Sequence, residues 1–128
     1  MLNKTAIKTI FQSNQQLTPA ELIPELLELG VKKYDYRLTT ASYTIYGKGH
    51  SFELNTKLEP VTVSELGETL KTKQAVLQYQ EGAITFPEFV FLAGSAGVAH
   101  WVCDLETNET TYFDQKDYIL YTDTHPEI

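Results

Sequence analysis

Leu17-Thr18-Pro19-Ala20-Glu21-Leu22-Ile23 and Ile84-Thr85-Phe86-Pro87-Glu88-Phe89-Val90 write one local pattern twice. In each stretch a threonine can cap a helix, a proline suits the first helical turn, and a glutamate three residues after the threonine can close a capping box. In the first stretch, Leu22, Ile23, Leu26, Leu27 and Leu29 form a wide apolar face, and Gly30 then supplies the left-handed stop of a helix. Gly97-Val98 repeats Gly30-Val31. At this constant offset Thr18, Glu21, Gly30, Val31, Leu38, Thr40 and Thr44 coincide with Thr85, Glu88, Gly97, Val98, Leu105, Thr107 and Thr111. Tyr34 falls on Trp101, and Tyr46 on Phe113. The coincidences lie on caps, stops and strand positions in one order, which is how a duplicated supersecondary unit shows itself.

Working outward from the first copy, Ala6, Ile7, Ile10 and Phe11 have helical spacing and predict a helix over Asn3 to Gln15. After Val31 the period becomes two, with Tyr34, Tyr36 and Leu38 on one strand face and Asp35, Arg37 and Thr39 on the other. A turn near Thr40-Ala41, the strand Tyr43 to Tyr46, the hairpin signal Gly47-Lys48-Gly49 and a strand holding Phe52 and Leu54 complete a meander. Asn55 to Val63, with Pro60, reads as the linker. Thr62 and Glu65 again have capping-box spacing, and Leu66, Leu70, Ala75, Val76 and Tyr79 predict a helix that Gly67 can break and Gly82 ends. In the second copy Trp101, Cys103 and Leu105 share a strand face. Thr111-Tyr112-Phe113 returns, Tyr118 to Tyr121 closes the meander, and Thr122 to Ile128 reads as a tail. The expected fold is α+β: one compact domain over 1–128, made of repeats 1–56 and 57–128. Each repeat is helix, helix, three-strand antiparallel meander, with the helices on one face of the sheet or sheets.

The 128 residues carry a formal charge of −7, which argues against a nucleic-acid partner unless the few cations share a face. Cys103 is the only cysteine, so no intrachain disulfide can form, as suits the cytoplasm. No apolar run is long enough for a membrane span, and no leader pattern follows Met1.

Leu26-Leu27-Glu28-Leu29-Gly30-Val31-Lys32-Lys33-Tyr34, Thr44-Ile45-Tyr46-Gly47, Gln80-Glu81-Gly82 and Phe86-Pro87-Glu88-Phe89 follow in order along nearly the whole chain. In that order they resemble the bacterial YbcV-like proteins of unknown function, some of which carry the label phage envelope protein. The resemblance implies no activity, substrate or catalytic residue. Tyr118 to Asp123 departs from the more charged closing segment of that group.

His50, His100 and His125 are the only histidines, and none has the helical spacing of a zinc site, so neither metal nor cofactor is expected. Strand alternation places His100 and Asp104 on one face and Cys103 on the other. The pair can serve as acid and base, although polar residues on a solvated strand face need no function. Cys103, between Trp101 and Leu105 on its face, reads as a small buried residue rather than a nucleophile. Tyrosines concentrate on the strands, where they pack well; a face with tyrosines, Trp101 and Arg37 also has the composition of a recognition surface. Tyr34, Tyr36, Arg37, Tyr46, His50, His100, Trp101, Asp104 and Tyr112 are therefore the candidate binding residues.

The expectation that follows is a protein without catalysis that binds a protein or small-molecule ligand on a tyrosine-rich sheet face or in a groove between repeats. The rival is a small enzyme using His100 and Asp104, and a third reading is a homo-oligomeric structural protein. The repeat alignment sets Arg37 against Asp104 and Lys33 against His100. If the first strands of the two halves are adjacent across a twofold axis, Arg37 and Asp104 are expected to meet, and any site should lie where the copies diverge or join.

Overall fold

Thr85 caps a helix as its sequence pattern requires: its hydroxyl accepts from the Glu88 N–H at 3.3 Å, and the Thr85 N–H donates to Glu88 Oε1 at 2.8 Å. The computed structural model describes residues 3–13, 19–56 and 58–124. Thr18, the cap read for the first copy, and His125 with the end of the tail lie outside the described residues. The order is α1 (Lys4–Ser13), α2 (Pro19–Glu28), β1 (Val31–Arg37), β2 (Ser42–Gly47), β3 (His50–Asn55), α3 (Thr69–Gln80), α4 (Phe86–Ser95), β4 (His100–Asp104), β5 (Glu109–Phe113) and β6 (Ile119–Thr124). Helix-helix-strand-strand-strand thus occurs twice. Thr122 to Thr124, read as tail, extend β6.

The six strands of the described residues join one antiparallel sheet in the order β3-β2-β1-β4-β5-β6, so the two meanders are fused through their first strands. The register opposes Lys33 to Asp104, Asp35 to Val102 and Arg37 to His100. Because the alignment equates Lys33 with His100, Asp35 with Val102 and Arg37 with Asp104, this register is symmetric, and a pseudo-twofold axis passes between Asp35 and Val102. The expected meeting of Arg37 with Asp104 does not occur. An antiparallel pair about that axis sends these two residues to opposite ends of the junction.

Both helix pairs cover the same sheet face. Ile7, Phe11 and Leu26 pack with Val31, Ile45, Leu54, Cys103 and Leu105. In the other half, Ala75, Val76, Phe86, Phe89, Val90 and Ala93 pack on Tyr36, Trp101, Tyr112 and Leu120. Alternation therefore leaves Lys33, Asp35, Arg37, His100, Val102 and Asp104 on the face without helices.

The helix expected from Thr62 starts only at Thr69, after Glu68, which makes no side-chain cap. Tertiary hydrogen bonds take the backbone of the intervening stretch: the Val61 N–H donates to Leu38 O at 3.1 Å, Ser64 to Gly94 O at 2.9 Å and Glu68 to Ala96 O at 2.8 Å. Leu66 and Leu70, read as buried helix positions, are 70% and 68% exposed. Gly97 is where this segment meets the end of α4. At φ +90 a Cβ there would lie 2.5 Å from Leu66 O and 2.6 Å from Gly67 Cα, both backbone atoms.

Gly97→Ala should therefore destabilise the fold by about 3 kcal/mol, combining left-handed strain with a backbone clash. Gly49→Ala, also at positive φ but with nothing within 4 Å, should cost about 1 kcal/mol. Urea denaturation of the two variants measures the difference; equal costs would show that the contact with Gly67 contributes nothing.

Candidate functional site at the repeat junction

His100 is the first residue of β4 and faces the side of the sheet without helices, yet its side chain is only 9% exposed. Its Nδ1 lies 3.1 Å from Asp35 Oδ1, on the adjacent strand, and its Nε2 lies 3.0 Å from Asp117 Oδ1, on the turn before β6. The ring stacks on Phe113 of β5 with centroids 4.8 Å apart and planes 9° from parallel. A neutral imidazole has one N–H, so it can donate to only one of two carboxylates. Two acceptors at hydrogen-bond distance therefore select the imidazolium, which donates to both and places its charge over the Phe113 face. The His100 pKa is accordingly raised, first by the Asp35 hydrogen bond and then by the Asp117 one; burial and the nearby Arg37 charge oppose them.

The two carboxylates differ in setting. The Asp35 side chain is 11% exposed, and its second oxygen is 4.0 Å from Arg37 Nη2. Asp117 is 76% exposed, on the turn between Phe113 and Ile119. Asp114 organises that turn, its Oδ1 accepting from the Lys116 and Tyr118 N–H groups, while Asp117 adopts φ +63. Gln115 Nε2 ties the turn to the inter-repeat segment through Val63 O at 2.9 Å. The equivalent hairpin in the first copy needs only Lys48 and Gly49 between the paired Gly47 and His50. The longer second turn is what brings an acid over the junction.

His100 is thus paired with Asp35 and Asp117 rather than with Asp104. Four residues along an extended strand separate His100 from Asp104, roughly 13 Å. Asp104 Oδ1 instead accepts from the Glu106 and Thr107 N–H groups and shapes the β4–β5 turn. Arg37 joins the site, opposite His100 in register. Tyr36, Trp101 and Tyr112 are buried under the helices, with Tyr36 and Trp101 stacked at 4.8 Å, and Tyr34 packs edge-on against Phe11 at 5.1 Å. Tyr36, Trp101 and Tyr112 thus build the core, and Tyr34 packs half-buried against it. Tyr46 lies on the open face with Lys33 Nζ 5.1 Å above its ring, the symmetry mate of His100 on Phe113. His50 begins β3, near the other end of β1. Cys103 is buried beside Tyr34 and Thr110, and burial pushes its thiol upward, away from nucleophile chemistry.

Asp35 and Asp117 escaped the sequence reading. Asp35 looked like one polar residue on an alternating strand, and only the β1–β4 register brings it to His100. Its signal was divergence, because the equivalent residue in the second copy is Val102. Among the described residues no group of three or more His, Cys, Asp or Glu is arranged to hold a metal ion. Asp35 and Asp117 approach opposite nitrogens of one ring and do not converge on a point. No helix among the described residues is long and apolar enough to cross a membrane.

A raised histidine pKa means that the folded state binds more protons than the unfolded chain between the two pKa values. The triad's stabilisation is complete below about pH 6.5 and is lost as pH rises through the folded pKa. Histidine NMR titration should show Asp35→Asn lowering the His100 pKa more than Asp117→Asn does, and urea unfolding should lose its alkaline fall in stability in Asp35→Asn. An unchanged titration in Asp35→Asn would contradict the assignment.

Comparison with known proteins places these features in a family. No curated protein matches the chain. A family model matches residues 8–124, a stretch that runs from within α1 to the end of β6 and holds all three members of the His100 triad. The chain belongs to the family described as Protein of unknown function (DUF1398).

Proposed function

We propose that the protein is a small acid–base catalyst in which His100 exchanges the proton and Asp35 orients it. The observation that supports this is the asymmetry of the imidazole, with Nδ1 held by a buried carboxylate and Nε2 directed to a carboxylate at the surface. A buried aspartate on Nδ1 fixes the ring and stabilises the imidazolium, the part the carboxylate plays in serine hydrolase triads. Nε2 is then the atom that donates to a leaving group or withdraws a proton from a nucleophile. The raised pKa favours the protonated form, which is the donor. Asp104 has no part in this chemistry.

Binding without chemistry is the second reading, favoured by Tyr118 and Ile119, which are 67% and 63% exposed beside Asp117. A cytoplasmic setting accords with Cys103 as the only cysteine, and the charge of −7 argues for a small-molecule or protein partner over nucleic acid. Kinship with the YbcV-like group is supported by the motif order alone.

A panel of chromogenic carboxylic esters and phosphomonoesters, assayed across pH with purified wild-type protein and His100→Gln, tests the catalytic reading. At least one substrate should be turned over, with a loss of about 100-fold in the variant and a pH profile that follows the His100 titration. Equal rates across the panel, with both proteins folded by circular dichroism, would overturn it. A small molecule retained in native mass spectrometry without turnover would favour the binding reading.

A further inference from the structure

Asp117 is an exposed carboxylate that occupies the outward nitrogen of a buried imidazolium, held there from a residue in the left-handed region of the backbone. The groups facing that imidazolium are Asp35 and Arg37 from β1, Phe113 from β5, Val102 on its own strand face and Asp117 from the turn. With Asp117 in place the local charges are two acids against two cations. With Asp117 swung out, Asp35 faces both His100 and Arg37, leaving one net positive charge at the mouth of the site. Arg37 lies opposite His100 in register, and its side chain is 54% exposed, so its guanidinium fork is open to a second oxygen.

We infer that Asp117 is an internal plug of the site, displaced by a small-molecule substrate that sets its own carboxylate on Arg37 and so brings its reacting group to His100 Nε2. The inference rests on the acid–base reading for the role of Nε2 and adds the substrate class and its regulation: the resting site is closed by the protein's own acid. The second copy alone has the means, since the shorter Gly47 to His50 hairpin carries no acid at that place. Exposed turns that a few hydrogen bonds hold open at low free-energy cost, whereas the β-ladder beneath stays fixed. The long-range charge of −7 does not prevent such binding, because it is screened beyond about 8 Å at physiological ionic strength.

The test is acetate titration of histidine-labelled full-length protein by NMR, at a pH below the His100 pKa. Asp117→Gly, which suits positive φ, should bind acetate about tenfold more tightly than wild type, with the largest shifts at His100. Adding Arg37→Gln to that variant should remove the gain. Asp117→Asn keeps the turn's backbone preference and should show part of the gain, so a rearranged turn in the glycine variant does not decide the outcome. Acetate affinity equal to wild type in both Asp117 variants, or unaffected by Arg37→Gln, would overturn the proposal; so would saturable binding of inorganic phosphate with none of acetate. Acetate gain without turnover in the ester panel would sink the catalytic reading alone, and turnover without acetate gain would sink this one alone.

Discussion

The pairing of β1 with β4 is the contact on which the molecule depends. Among the described residues it is the only ladder between the halves, it makes two meanders into one sheet, and it sets the face on which the neighbouring side chains lie. On the helix side it brings Tyr36 against Trp101, the ring pair from which the aromatic core extends to Phe86, Phe89 and Tyr112. On the other side it brings Asp35 and Arg37 to His100. A slip of one residue in this ladder would turn the tyrosines outward and the charges into the core, so the apolar rings on one face hold the polar site on the other in register.

Two copies around one axis give each polar position a twin, and the twins have separated chemically. Lys33 above Tyr46 and His100 against Phe113 occupy symmetric places, each a cationic or ionisable group against an aromatic ring. The first copy keeps a simple exposed lysine there. The second has a titrating group, a buried acid contributed by the partner strand, and a lengthened turn that delivers another acid. Symmetry supplies the platform, and its local loss supplies the chemistry.

How far the chain could be read in advance follows from the range of each interaction. Capping at Thr85 and Glu88, the stops at Gly30 and Gly97, and the strand alternation are local, so spacing alone revealed them and the repeat with them. The start of α3 was misplaced because hydrogen bonds from Ser64 and Glu68 to the end of α4 override a local capping pattern. The tyrosines and Trp101 were legible as strand residues suited to packing, but a recognition face stayed open beside that reading, since amphipathic rings suit either role until the helices cover one face. His100 was legible as a candidate and its partners were not: Asp35 comes from the other repeat and Asp117 from beyond a turn, and no period in the sequence encodes register between distant strands.

The strand order also bears on how the chain folds. Every pairing in the sheet except β1 with β4 joins neighbours in sequence, so each meander closes through short loops. The entropic cost of distant closure is concentrated in the one step that docks the halves. That step also assembles the Asp35–His100 pair, which exists in neither half alone. Site formation and the docking of the halves are therefore the same event, and a chain arrested as two separate halves would lack both the site and the packing of Tyr36 and Cys103 with the opposite helix pairs.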